Sequence, residues 1–338
     1  MPHPAAILGR LAAVAGLTLA LAGCFGGDAD VSEALAAPGN GDIGRDPTVL
    51  VATTRQPVSD PARSPWFTSQ RSPDLAFARA RMVLPDTDPS MMTRVTSMMS
   101  DAWAVRTVSG LTTKDAAGAF AQASLGQDLL LYVHGYRESF ASAVASAAQL
   151  SQGIGFRGAT GLFSWPSAGS TLSYVSDRES AMWSRDAMED VLSAIAKSPS
   201  GGRIHIVAHS MGTLLTLEAL RMVRADGGET AMSRIGAVVM AAPDIDIDLF
   251  ARGLERLGPD ASKITVISAT NDRALAVSSR LAGGIVRAGA ADRERLEALG
   301  VRVADASDFS STIGINHSLF LYDPIVQQVV KRAIERVR

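Results

Sequence analysis

Beyond residue 47, short runs of apolar and β-branched residues alternate with longer stretches in which apolar positions recur every three or four residues. That alternation predicts strands interleaved with amphipathic helices, and so an α/β fold: a mostly parallel central sheet with helices on both faces. The predicted strands are Thr48–Thr53, Leu129–Val133, Gly161–Ser164, Arg203–Ala208, Ala237–Ala241, Ile264–Ala269 and Val301–Ala304. Leu129–Val133 is apolar throughout, as suits a central strand covered on both sides. A helix is expected over Asp177–Lys197, with Ser176 and Glu179 at capping-box spacing and Met182, Val191, Leu192 and Ile195 along a buried stripe. The last helix is expected to start at Asp323-Pro324, an acidic N-cap followed by proline at the first helical position. Residues 55–115 are the least legible, because Pro, Ser and Thr interrupt every periodic run; Ala80–Leu84 reads as a further strand.

The N-terminus has another pattern. After Arg10 comes an apolar run from Leu11 to Leu21, then the small residues Ala22 and Gly23, which reads as a secretory signal. The run is shorter than the ~20 residues of a spanning helix, so a permanent transmembrane helix is not expected. Leu21-Ala22-Gly23-Cys24 resembles the bacterial lipobox. The resemblance implies removal of residues 1–23, a diacylglycerol on the Cys24 thiol, and an exported domain tethered to the cell envelope. Phe25, where aspartate would imply inner-membrane retention, points to the outer membrane if the source is Gram-negative. The plainer reading is an ordinary signal peptide with an incidental cysteine. Residues 24–46, rich in Gly, Ala, Asp and Pro, read as a flexible tether, leaving 47–338 as the folded domain.

Composition narrows the function classes. With 338 residues and 47% hydrophobic positions, the chain can bury a large core. Its 32 basic and 34 acidic residues nearly cancel, so no electrostatic footprint for nucleic acid is present. One cysteine closes no intrachain disulfide and builds no Cys-based zinc site. His205 and His209 are four residues apart, but across a strand and its turn rather than on a helix, and no metal is expected there. Neither a Walker loop nor a dinucleotide fingerprint occurs, so no cofactor is expected.

The chemistry concentrates where a predicted strand runs into Ala208-His209-Ser210-Met211-Gly212 and then a helical pattern over Thr213–Val223. Strand, tight turn and helix are the context of a nucleophile elbow, which lifts a serine hydroxyl above the sheet edge and places a helix N-terminus behind it. A serine N-capping a helix is the alternative. A serine needs a base and an orienting acid. Of five histidines, His3 lies in the signal, His205 within a strand, His209 too close to the serine, and His134 before Gly135, which leaves His317 as the base candidate. For the acid, Asp272, after the strand ending at Ala269, is preferred to Asp244 or Asp246. The strand ending at Val133 delivers His134-Gly135-Tyr136; the Tyr136 and Met211 amides are the expected oxyanion hole, with His134 bracing the loop.

Val51-Ala52-Thr53-Thr54-Arg55, Val133-His134-Gly135-Tyr136, Phe163-Ser164-Trp165-Pro166-Ser167, His209-Ser210-Met211-Gly212, Ala242-Pro243-Asp244, Asn271-Asp272-Arg273-Ala274-Leu275 and Asn316-His317-Ser318 together resemble the DUF900 family of α/β-hydrolases over about residues 47–335. The resemblance implies the α/β-hydrolase fold and an esterase- or lipase-like activity, with Ser210, Asp272 and His317 at the triad positions. It also marks Trp165 and Tyr174, with His134, as candidate pocket-lining residues. Thr213 departs from the asparagine often found there. The function implied is an exported, lipid-anchored serine hydrolase acting on a small ester or lipid substrate, with membrane contact through Cys24. The rivals are a serine peptidase, an acyltransferase, and a non-catalytic binding protein on the same fold.

Overall fold

A computed structural model describes residues 47–59, 64–83, 104–110, 126–198, 202–307 and 317–337. The signal, Cys24 and the tether lie outside the described residues, as does the Gly314–Asn316 part of the loop before His317. No helix among the described residues is long and apolar enough to cross a membrane.

The parallel part of the sheet is built from β1 (Thr48–Pro57), β4 (Leu129–Val133), β5 (Ala159–Ser164), β6 (Ile204–His209), β7 (Ile235–Ala241), β8 (Ile264–Ser268) and β9 (Arg302–Asp305). Antiparallel β2 (Phe67–Val83) and then β3 (Ala104–Gly110) extend it beyond β1, giving the order β3-β2-β1-β5-β4-β6-β7-β8-β9. All five residues of β4 are buried because the strand sits between β5 and β6 with helices on both sides. Leu129, Leu131 and Val133 enter one core layer, and Leu130 and Tyr132 the other.

The first layer is closed by α2 (Tyr174–Trp183), α3 (Arg185–Lys197), α4 (Met211–Arg234) and α5 (Ile247–Leu257). The second is closed by α1 (Phe140–Gly153), α8 (Leu319–Tyr322) and α9 (Pro324–Glu335). Two further helices, α6 (Arg273–Leu281) and α7 (Arg293–Glu297), lie between β8 and β9. Asp323 caps α9 by accepting from the Ile325 and Val326 amides at 2.8 and 3.1 Å.

Two local expectations are corrected. The single helix expected over Asp177–Lys197 is two, α2 and α3, broken at Ser184. The buried Ser184 hydroxyl donates to the Ser180 carbonyl at 2.8 Å and lies 2.8 Å from Thr54 Oγ1, and this back-bonding bends the helix. Ser176 is no cap: it sits inside α2 and bonds the Ser173 carbonyl at 3.0 Å. The other correction is β2, 17 residues long, where only a short strand at Ala80–Leu84 was expected. Its pattern Ala78-Arg79-Ala80-Arg81-Met82 buries the small residues and exposes the arginines, a true period of two written in poor strand formers. Pro73 falls where the β1–β2 pairing slips, the place a strand tolerates proline.

Candidate active site

β6 enters a sharp turn at Ser210, whose φ of 49° and ψ of −119° lie in a region non-glycine residues rarely occupy. The turn is held on every side. The Ser210 amide donates to the Ala241 carbonyl at 2.9 Å; its carbonyl accepts from the Thr213 and Asp244 amides at 3.1 and 3.3 Å and from Thr213 Oγ1 at 2.5 Å. Thr213, the family departure, thus ties down the carbonyl of the strained residue. Met211 opens α4, which kinks at Gly228, so its amide belongs to the first turn, where helix N–H groups have no intrahelical partner and the dipole is positive.

The structure brings His317 and Asp272 together: ring Nδ1 lies 2.8 Å from Asp272 Oδ2, with both residues buried. The other oxygen, Oδ1, caps α6 through the Ala274 and Leu275 amides at 2.9 and 3.1 Å. Burial alone would push the Asp272 pKa up, but the His317 ring, its hydrogen bond and those two amides outweigh it, so the carboxylate titrates below its usual range. Burial alone would lower His317, yet the Asp272 charge and hydrogen bond raise it above its ordinary value. Among the described residues, no hydrogen bond joins the Ser210 hydroxyl to this ring. The rival acids are engaged elsewhere. Asp244 contacts Arg287 Nε at 3.2 Å, Tyr174 at 2.8 Å and the Ser278 hydroxyl, while Asp246 caps α5.

His209 places His317 against the elbow. Its Nε2–H donates to the His317 carbonyl at 3.0 Å, and its ring lies 4.8 Å from the His317 ring and 5.0 Å from Phe320. Burial first, and then the His317 charge, drop its pKa to about 3, so it is a neutral strut. Sequence distance alone had hidden this role: His209 cannot act back on its neighbour's hydroxyl, but it can grip a segment 108 residues away.

The His134–Tyr136 loop lies directly on the elbow. A Cβ at Gly135 would stand 2.8 Å from His209 Nδ1 and 3.1 Å from Ser210 Cβ, so only glycine lets the Gly135–Tyr136 peptide come this close. A Cβ at Gly212 would run into the His134 carbonyl. The loop is clamped by two buried groups that sequence reasoning had not given a role. Arg55 donates to Ser164 Oγ at 2.9 Å and to the Ser167 and Glu138 carbonyls at 3.1 and 2.7 Å. Asp177 accepts from Ser167 Oγ at 2.5 Å, the Ala168 amide at 2.9 Å and the Arg137 amide. Burial lowers Arg55 to about 10 and raises Glu138 to about 7.

His134 and Trp165 do not line a pocket. Both are fully buried and stack on each other at 4.8 Å, with Trp165 Nε1 donating to the His134 carbonyl at 2.8 Å, so neither side chain reaches substrate space. They are the packed underside of the His134–Tyr136 loop. Tyr174 is half-buried, its ring edge-on to Tyr136 at 5.5 Å. Among the described residues, no group of three or more His, Cys, Asp or Glu side chains could hold a metal ion. His205 faces Asp128 at 3.4 Å and accepts from the Ala237 amide, at the opposite end of β6 from Ser210.

A family model described as alpha/beta hydrolase of unknown function, DUF900, matches residues 113–335. An uncharacterized protein of Nostoc sp. (strain PCC 7120) is 30% identical over 103 residues, 25% of this chain and 27% of that protein, so the match spans about a quarter of that relative's length. Among solved structures, a Pyrobaculum calidifontis esterase is 14% identical with a TM-score of 0.39, covering 91% of this chain and 87% of its own. Aspergillus fumigatus lipase B is 16% identical with a TM-score of 0.40, covering 67% of this chain and 58% of its own.

Proposed function

Because the chain belongs to the DUF900 family of α/β-hydrolases, we propose that it is a serine hydrolase cleaving carboxylic esters or thioesters through an acyl-enzyme on Ser210. The observation that carries this reading is the buried His317–Asp272 pair, held beside a serine in a strained turn at a helix N-terminus. Ser210 Oγ attacks the carbonyl carbon while His317 Nε2 takes the hydroxyl proton; Asp272 fixes the Nδ1–H tautomer and stabilises the resulting imidazolium. The Met211 and Tyr136 amides receive the oxyanion, to which a loop clamped by Arg55 and Asp177 supplies dipoles already in place. His317 then returns its proton to the departing alcohol or thiol. Water, deprotonated by the same ring, releases the acid and restores the serine.

The lipobox extends the proposal: the mature domain is exported and held at the membrane by lipid on Cys24. Full-length protein purified in detergent should hydrolyse short p-nitrophenyl esters and take up a fluorophosphonate probe on Ser210. Ser210→Ala should abolish both. Absence of labelling and of hydrolysis in the wild type overturns the catalytic reading. Cys24→Ala should shift the protein from the membrane to the soluble fraction.

A further inference from the structure

Since no described hydrogen bond ties the Ser210 hydroxyl to His317, the separation of the two is set by the frame that carries each. Asp244 lies at the centre of that frame. Its amide donates to the Ser210 carbonyl at 3.3 Å, and its carboxylate is buried where three segments meet. Oδ2 accepts from Tyr174 Oη at 2.8 Å, while Oδ1 accepts from the Ser278 hydroxyl and lies 3.2 Å from Arg287 Nε. A buried ion pair adds little net stability over an apolar pair of the same size, so what this one contributes is geometry.

Two routes lead from Asp244 to Asp272. Through side chains, Ser278 belongs to α6, the helix that Asp272 caps, so fixing Ser278 fixes where Asp272 Oδ2 meets His317. Through the backbone, the Gly289 amide donates to the Pro243 carbonyl at 2.9 Å, the Ala269 amide to the Gly289 carbonyl at 2.9 Å, and the Asp272 amide to the Ala269 carbonyl at 3.1 Å. Arg287 joins the two routes, because its Nη2 also donates to the Ser278 carbonyl at 3.2 Å. A third arm reaches the other side of the site: Tyr174, held by Asp244, sets its ring edge-on to Tyr136 at 5.5 Å. The turn that delivers Asp244 is itself strained. Ala242 has a φ of 46°, and like Ser210 it occupies a region that a non-glycine residue keeps only where its surroundings over-determine it.

We infer that Asp244 is a positioning residue, which holds the His317–Asp272 pair in register with Ser210 through Ser278 and α6. The inference rests on Ser210 being the nucleophile. Ser278→Ala removes one arm without changing any charge. In the full-length protein in detergent it should leave KM for p-nitrophenyl butyrate within about twofold and lower kcat by about tenfold or more, because a small misplacement of the base acts on bond making rather than binding. Fluorophosphonate labelling should slow by the same factor. The downfield proton resonance of His317 Nδ1–H, identified by its loss in Asp272→Asn, should shift. Asp244→Asn, with one acceptor oxygen left for three donors, should lower kcat at least as far and shift the same resonance. Adding Ser278→Ala to Asp244→Asn should cost nothing more, since the two act along one path. Ser279→Ala, at the next position of α6, should change neither kcat nor the resonance.

Wild-type kcat and an unshifted resonance in folded Ser278→Ala protein, whatever its Tm, overturn the inference. So does a double variant whose loss is the product of the two single losses. If Asp244→Asn does not fold, Ser278→Ala decides by itself. A resonance that shifts in Ser278→Ala while wild-type protein neither labels nor hydrolyses supports the coupling, and it is then the hydrolase reading that fails.

Discussion

Asp272→Asn separates the two tasks of one carboxylate. Oδ1 caps α6, and Oδ2 faces His317 Nδ1 at 2.8 Å. Asparagine keeps its carbonyl oxygen on the Ala274 and Leu275 amides, because those donors need an acceptor. Its NH₂ then points at Nδ1, which must become the acceptor. The proton moves to Nε2, and the ring can no longer take one from Ser210. Losing the correct tautomer from a serine–histidine site lowers kcat by about 10⁴, or about 5 kcal/mol of transition-state stabilisation. Folding changes less: the cap survives, and a buried charge-assisted hydrogen bond worth about 1.5–3 kcal/mol is lost. The pH profile supplies a second reading. In the proposed mechanism His317 is a neutral base whose pKa Asp272 raises, so activity should rise with pH through a midpoint above 6.5. Residual activity of Asp272→Asn should turn on at lower pH, because burial then acts without the opposing charge. Steady-state kinetics from pH 5 to 9 on both proteins, with thermal melts, decide the matter. If Asp272→Asn keeps activity within tenfold of wild type while Asp244→Asn abolishes it, the carboxylate that matters is not Asp272.

Gly135→Ala should lower kcat at least 100-fold, since the new Cβ presses on His209 Nδ1 and Ser210 Cβ and pushes the Tyr136 amide away; unchanged turnover would show that the loop is not close enough to act. His209→Phe should lower kcat by about tenfold or more, by releasing the His317 carbonyl, and should also narrow the difference in Tm between pH 7 and pH 5. The sign follows from linkage: a histidine held at about 3 when folded binds its proton only on unfolding, so stability falls as pH drops from 6.5 toward 3, and the variant lacks that loss. Arg55→Met should cost about 3 kcal/mol or more, because Ser164, Ser167 and Glu138 lose their donor, and Arg55→Lys should recover only part, since one ammonium cannot span all three. Differential scanning calorimetry should therefore rank Tm as wild type, then Lys, then Met.

The central strands were legible because burial on both faces leaves a chemical trace that needs no partner to interpret: Leu129–Val133 is apolar at every position. The elbow was legible for a related reason, since a strand, a serine between small residues and a helix are all local. β2 was hidden because its alternation is carried by Ala and Arg, and because Pro73 marks an irregularity only the pairing with β1 reveals. The break at Ser184 depends on Thr54, 130 residues away, and no window along the chain contains both.

The same distinction explains why the proposed reacting groups were easier to name than the groups that hold them. Candidates for a serine, an acid and a histidine are few in kind and follow a fixed chain order in this fold, so elimination narrows them to Ser210, Asp272 and His317. Arg55 and Asp177 make their case through backbone groups and serine hydroxyls, among them the Glu138 carbonyl 83 residues from Arg55, and any buried carbonyl or hydroxyl offers the same chemistry. A buried guanidinium is nonetheless a demanding choice, since burial pulls its pKa down to about 10. What Arg55 gains in return is geometry. It grips the Glu138 carbonyl at the far end of the Gly135–Glu138 loop and the Ser167 carbonyl of the neighbouring segment at once, so the amide at Tyr136 is fixed before any negative charge appears.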